Sequence, residues 1–331
     1  MMPRLLAPLV PLAMVAAVAA GTVAAQNAAP PAASPVTAFK VQGGVHLVHG
    51  AGGNITVQAG DLGAVVVDSG LAQYSDQVLT AIRTVTLRPI RFVINTHSHE
   101  DHIGGNERLA ASGISVAPGR GVATVGTGQG ARAEIIAHEQ VLNRISLPGT
   151  ATPMPIGLWP TSTFSARRKE WFFNNEGIQI IHQPSAHTDG DAVVYFRRSD
   201  VVAAGDVYVT TSYPVIDAQR GGSIQGVLDG LNFLLELVVS GEKTEGGTMI
   251  VPGHGRISDE ADLVEYRDMV TIIRDRIQDL VKKGMTVEQV RAARPTMDFD
   301  ALFGAAPAWT PAQFVEAVYR DLRSTRVTQS R

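Results

Sequence analysis

Within six residues, His97-Ser98-His99-Glu100-Asp101-His102 gathers three of the chain's nine imidazoles beside a carboxylate. Extended residues alternate in direction, so His97 and His99 project together, whereas Asp101 and His102 fall on the following turn and reach a second point nearby. The chain contains no cysteine, which removes disulfides, thiol nucleophiles and thiolate ligands. A metal here must rest on imidazole and carboxylate, a donor set that suits zinc. Zinc brings the pKa of a bound water to about 7 and so supplies a nucleophile at neutral pH without serine or cysteine.

The motif needs rigid neighbours, and the flanking pattern provides them. An apolar strand over residues 91–95 runs straight into it, and a helix over 107–111 follows Gly104-Gly105 and closes at Gly113. Upstream, residues 45–48, 55–58 and 64–67 read as short strands, the last ending in Asp68-Ser69-Gly70, with a helix over 75–85. Downstream come a strand over 114–117, a glycine-punctuated loop from Gly119 to Gly130, a helix over 131–145 and a long proline-containing connection over 148–160. Strands over 171–173, 178–182, 192–196, 201–204 and 249–251 complete the series. Beyond Ser258 the spacing turns helical, through Leu263, Met269, Ile272, Ile277 and Leu280 to Gly284. Thr286…Gln289 and Thr310…Gln313 then match capping boxes that open two more helices.

The histidine motif resembles the HxHxDH signature of the metallo-β-lactamase superfamily. Other segments resemble that family's motifs in the same order over residues 45–256: Val65-Val66-Val67-Asp68-Ser69-Gly70, Ala186-His187-Thr188-Asp189-Gly190, Ala204-Gly205-Asp206 and Val251-Pro252-Gly253-His254-Gly255. The resemblance implies an α+β fold, a four-layer αββα sandwich with C-terminal helices, occupying residues 39–331 with the helical part at 258–331. It also implies two Zn²⁺ ions per chain, with His97, His99 and His187 holding one, Asp101, His102 and His254 the other, and Asp206 bridging. Asp101 would orient the attacking hydroxide and serve as the catalytic residue, and Asp68 and Thr188 would support the ligands from behind. His46, His49, His138 and His182 lie outside these motifs and are expected to pack or face solvent, and Asp189 and Asp191 to serve as turn residues.

Composition bounds the remaining choices. Twenty-eight Lys and Arg stand against 31 Asp and Glu, a formal charge of −3 with no basic block, so no nucleic-acid partner is expected. Residues 1–25 carry one charge, Arg4, then an apolar run from Leu5 to Ala20 and small residues before Gln26. This pattern reads as a signal peptide cleaved after Ala25, and Pro8 and Pro11 interrupt the run in a way that disfavours a membrane anchor. The expectation is a secreted or periplasmic protein with no membrane attachment after cleavage and a flexible tether over 26–38. Its partner is a small-molecule substrate, and no feature fixes an oligomeric state.

The family's metal cage serves β-lactams, lactones, thioesters, phosphodiesters and sulfate esters, so the substrate must be read elsewhere. Asp206 makes the chain similar to glyoxalase II and nuclease members and unlike established β-lactamases, whereas the leader resembles that of secreted β-lactamases. The reading is a hydrolase of a small cyclic amide or ester, β-lactam first, with lactone, thioester and phosphodiester hydrolysis as alternatives. A mononuclear iron oxygenase similar to persulfide dioxygenases is disfavoured by His102 and His254, and a non-catalytic zinc-binding protein by the complete donor set. No Lys or Arg stands close after Asp206 in sequence to bind a substrate carboxylate, and Arg220 is the nearest candidate. Tyr208, Tyr213 and Trp159 are candidates for either substrate contact or core.

Overall fold

Alternation within single strands decides the layering. In the strand Gly63–Val67, Val65 and Val67 face one way and Ala64 and Val66 the other, and all four are buried, so this strand needs cover on both faces. The computed structural model describes residues 35–115, 132–146, 153–242 and 246–329. Its first sheet places β1 (Thr37–Gln42), β2 (Val45–His49), β3 (Ile55–Gly60), β4 (Gly63–Val67), β5 (Ile90–Ile94), β6 (Glu134–His138) and β7 (Ser162–Phe164) side by side in chain order. Pairing is antiparallel as far as β4 and parallel from β4 to β7. A second sheet runs β8 (Arg168–Phe173), β9 (Glu176–His182), β10 (Ala192–Phe196), β11 (Val201–Gly205) and β12 (Met249–Pro252), antiparallel except for the β11–β12 pair.

Three apolar layers separate four layers of structure. Val65, Val67, Ile94 and Ile136 of the first sheet meet Ile178, Ile180, Val194 and Ala203 of the second. Behind the first sheet, Val66, Val93 and Ile135 pack on Val78, Leu79 and Ile82 of α1 (Ser75–Val85) and Leu109 of α3 (Asn106–Ala111). Behind the second, Ile181, Val193, Val202 and Ile250 pack on α5 (Ile224–Leu237), α6 (Glu260–Lys282) and α9 (Pro311–Gln329). This is the αββα sandwich with C-terminal helices.

Local chemistry starts and aims the outer helices. Ser223 caps α5 by accepting from the Gly226 N–H, and Ile224, Val227, Leu228, Leu231 and Leu234 form its buried stripe. Asp259 and Asp262 form a capping box on α6, as Thr286 and Gln289 do on α7 (Val287–Ala292). The buried face of α6 uses Tyr266, Val270 and Ile273, while Ile272, expected inside, is 41% exposed.

Four sequence expectations change. Residues 131–145 are not one helix, because 134–138 form β6 and helix α4 begins only at Glu139 (Glu139–Ser146). Ile135 and Ile136 face opposite apolar layers there, so parallel pairing with both neighbours outweighs the helix-forming Ala and Glu around them. Ile114 and Ser115 belong to no strand, and 116–117 lie outside the described residues. The helix α5 was not anticipated. The strand β1 starts at Thr37, inside the stretch read as a tether. The leader at 1–25, the tether up to residue 34, and the loop from Gly119 to Gly130 also lie outside the described residues. Among the described residues, no helix is long and apolar enough to cross a membrane.

Strand direction positions the site. Asp68 follows β4 directly, His97 comes three residues after β5, Asp206 follows β11 and His254 comes two residues after β12. The parallel segments therefore deliver all of them at strand C-terminal ends, where loops are free to carry function. The turn between β9 and β10 supplies His187 at the same edge.

Candidate metal centre

Two groups of donors form at this edge, His97, His99, His187 and Asp206 in one, Asp101, His102 and His254 in the other. Asp206 reaches both. Its Oδ2 lies 4.0 Å from His97 Nε2 and 3.8 Å from His187 Nε2, while Oδ1 lies 3.3 Å from His102 Nε2 and 3.6 Å from His254 Nε2. Asp101 and His102 reach their group from the short helix α2 (Glu100–Ile103), not from a turn as expected. Asp101 Oδ2 is 3.1 Å from His254 Nε2 and 3.7 Å from His102 Nε2.

The outward-facing nitrogens decide which lone pairs face inward. His187 Nδ1 lies 2.7 Å from the Val215 carbonyl, which can only accept, so His187 presents a bare Nε2. His99 Nε2 donates to Asp217 Oδ2 at 3.0 Å, leaving Nδ1 bare. His102 Nδ1 donates to Asp68 Oδ2 at 2.8 Å. Thr96 Oγ1 donates to the same Asp68 oxygen at 2.8 Å and is left to accept from His97 Nδ1 at 3.1 Å.

Three imidazoles, those of His97, His99 and His187, thus turn lone pairs toward one another, and His102 turns its Nε2 toward Asp206. His99 Nδ1 and His187 Nε2 stand 2.9 Å apart with no proton assigned between them. The buried His97 Nε2 and Asp206 Oδ1 have no hydrogen-bond partner. Such an arrangement is costly in a protein interior unless a cation sits among the donors, and the nitrogen and oxygen donor set fits a divalent metal.

Charge points the same way. Burial, with His102 second, lowers the His97 pKa well below that of free histidine, and burial lowers His187. Burial also opposes charge on His102 and His254, yet Asp206, joined by Asp68 at His102 and by Asp101 at His254, raises both. Burial would raise Asp206, but His102 and His254 outweigh it and hold the carboxyl well below its usual range. The carboxylates thus draw positive charge into this space.

Asp68 works behind both groups. It accepts from the Thr96 N–H at 2.8 Å through Oδ1, and through Oδ2 it reaches His102 directly and His97 by way of Thr96. Asp68→Ala strands three buried donors, and the metal-free protein is expected to lose about 3–5 kcal/mol of stability in urea denaturation; a loss below about 1 kcal/mol would show that the network is dispensable. Thr188 has a different part from the one expected. It donates through its N–H and its hydroxyl to Asp191, both at 2.7 Å, and fixes the His187 turn without touching a donor. Asp189 pairs with Arg144, also as a turn residue.

Asp217 escaped the sequence reading. It caps a short 3-10 turn, Ala218–Arg220, and receives Arg220 Nη1 at 2.6 Å as well as His99. Burial would raise its pKa, but His99 and Arg220 lower it. The only sequence signal was an Asp–Arg pair three residues apart. Arg220, the candidate for a substrate carboxylate, braces Asp217 instead. Asp217→Ala frees His99 to rotate, and metal affinity measured by competition with a chromogenic chelator is expected to fall about 10–100-fold; an unchanged affinity would mean that His99 is held by other contacts.

Other candidates also find their places. Tyr208 and Tyr213 are core residues, 1% and 0% exposed, bonded to Ser258 and to Thr296 and Asp300. Trp159 donates to the Met154 carbonyl. His138 is buried and stacks on His182, ring centroids 3.6 Å apart, and neither they nor His46 and His49 join a donor group. Five of the donors, His99, Asp101, His187, Asp206 and His254, floor an open cleft of about 550 Å³, whose walls include Val209, Thr211, Val215 and the segment Ala305, Ala306 and Ala308. A hollow of about 600 Å³ over His46, Leu87 and Arg88 contains no such donors.

The family model described as "Metallo-beta-lactamase superfamily" matches residues 50–255. Among solved structures, the chain is similar to the stereoselective inverting sec-alkylsulfatase Pisa1 from Pseudomonas sp., with a TM-score of 0.59 and 17% identity over 86% of this chain and 50% of that one. A double mutant of the sec-alkyl sulfatase PisA1 matches over the same shares with a TM-score of 0.62 and 17% identity. The chain thus spans about half the length of these alkylsulfatases. A metallo-beta-lactamase from Pontibacter korlensis matches with a TM-score of 0.53 and 16% identity, over 71% of this chain and 99% of that one. No curated protein sequence matches significantly.

Proposed function

The chain belongs to the metallo-β-lactamase superfamily, and on that premise we propose that it is an exported hydrolase holding two zinc ions and cleaving a small ester or amide, with β-lactams the first class to try. The observation that carries this reading is the convergence of bare imidazole nitrogens and Asp206 on the floor of an open cleft. His97, His99 and His187 would hold one ion, Asp101, His102 and His254 the other, and Asp206 would serve both. Bound there, zinc supplies an acidified water and a Lewis acid for the scissile bond.

The chain's own residues do the remaining work. The Asp101 side chain is 32% exposed, the most open carboxylate of the set, and therefore faces incoming solvent and substrate. Burial would raise its pKa, but the hydrogen bond to His254 brings it down to about 2. Its exposed oxygen is placed to accept a hydrogen bond from the attacking water and orient it. Val209 and Val215 narrow the solvent around the donors. The second donor group favours this reading over a single-iron oxygenase, and the leader pattern supports export.

The test is metal content together with hydrolysis of a chromogenic cephalosporin, lactones, aryl esters, alkyl sulfates and phosphodiesters, each with and without chelator. The expected result is two zinc ions per chain and turnover that a chelator stops and zinc restores. One iron per chain with oxygen uptake would overturn the hydrolase, and two zinc ions without turnover on the whole panel would favour an accessory role. Export is tested separately by the N-terminus of the secreted protein, expected at Gln26.

A further inference from the structure

The cleft has two unlike sides. Its floor is formed by five of the donors, His99, Asp101, His187, Asp206 and His254. Its flank is apolar, built by Val209, Val215, Ala305, Ala306 and Ala308. The matched family segment ends at residue 255, so the three alanines come from chain that the family-wide part does not include.

That flank is fixed in place. Trp309 Nε1 donates to the Pro214 carbonyl at 3.2 Å, tying the alanine segment to the loop after Asp206. Tyr213 clasps the same junction. Its hydroxyl lies 2.9 Å from Asp300 Oδ1 and 3.2 Å from the Thr296 carbonyl, and its ring stacks on Phe314 with centroids 4.9 Å apart.

Among the described residues lining the cleft there is no Lys or Arg. The cations nearest in sequence to the site are engaged, Arg220 with Asp217 and Arg256 with Asp262 at 2.7 Å. Ser212, also on the wall, turns its hydroxyl to the Tyr213 carbonyl at 3.0 Å. Apart from the Thr211 hydroxyl at its edge, the flank thus offers methyl and isopropyl groups and no counter-charge.

We propose that Val209, Val215, Ala305, Ala306 and Ala308 form a subsite for an uncharged, apolar acyl or alkyl group carried by the substrate beside its reacting ester or amide, and that this subsite sets specificity. The proposal rests on the hydrolase reading for its reaction, but the subsite can be probed without turnover. Straight-chain alkyl hydroxamates, from two to eight carbons, bind through a metal-chelating head and present a tail of variable length. Each methylene buried against the flank adds up to about fourfold in affinity.

The experiment measures hydroxamate affinity by calorimetry on the zinc-loaded protein, alongside hydrolysis of p-nitrophenyl esters of matching length. The expected result is an affinity that climbs by at least about 30-fold from two to eight carbons and a parallel rise in kcat/KM. In Ala306→Asp, and independently in the more exposed Ala308→Glu, the eight-to-two-carbon ratio is expected to collapse toward one while zinc content and melting temperature hold. A wild-type ratio near one, or ratios unchanged in both variants, would overturn the subsite. A steep ratio for hydroxamates with no ester, amide or sulfate turned over would leave the subsite standing and overturn the proposed reaction.

Discussion

Asp206→Ala is expected to yield purified protein with fewer than two zinc ions per chain and turnover reduced by at least about 10³-fold. The carboxylate divides its two oxygens between the donor groups, Oδ2 toward His97 and His187 and Oδ1 toward His102 and His254. Alanine removes the one side chain common to both. It also removes the charge that draws positive charge onto His102 and His254. Losing several kcal/mol of transition-state stabilisation at both points corresponds to about three orders of magnitude or more. The backbone around the position is built for this residue. A Cβ at residue 253 would stand 2.0 Å from Asp206 Oδ1, so glycine there lets the carboxylate lie flat between the groups. Metal analysis decides the matter, because retention of two ions would show that Asp206 is not shared.

Asp101→Asn should behave differently. Asparagine keeps the size and one acceptor oxygen but loses the charge, so most zinc is expected to stay bound while kcat falls at least about 10²-fold, the usual cost of losing a positioned group's alignment. The fall should appear in kcat more than in KM, since water orientation matters in the transition state. Near wild-type rates would remove Asp101 from the mechanism. Metal loss equal to that of Asp206→Ala would recast it as a ligand alone. The two variants together separate holding the ions from using them.

The sequence disclosed whatever depends on neighbours along the chain. His97 to His102 could be read as two reaching points because strand alternation and a change of direction after it act over a few residues, although that change proved to be the helix α2 and not a turn. The capping boxes at Thr286 and Thr310 were legible for the same reason, since both partners lie within one turn. What stayed hidden arrives through tertiary contact. Asp217 meets His99 across 118 residues, and the alanines at 305–308 reach the cleft only because Trp309 and Tyr213 dock them. The five residues of β6 are too few to display a period, and their neighbours favour helix. Tyr213 was a fair candidate for substrate contact by type and by its closeness to Asp206, but it lies beneath the cleft, where it anchors the wall.

The clasp around Tyr213 has an evolutionary consequence. The donors come from turns locked to one another by Asp68, Thr96 and Asp217, where a change at one residue disturbs several. The alanine wall is held to that assembly by the Trp309–Pro214 hydrogen bond and by the stacking of Tyr213 on Phe314. If the proposed subsite holds, substitutions at 305, 306 and 308 are expected to change substrate preference and leave the donor groups in place. Drift in substrate preference would then be decoupled from drift in the chemistry.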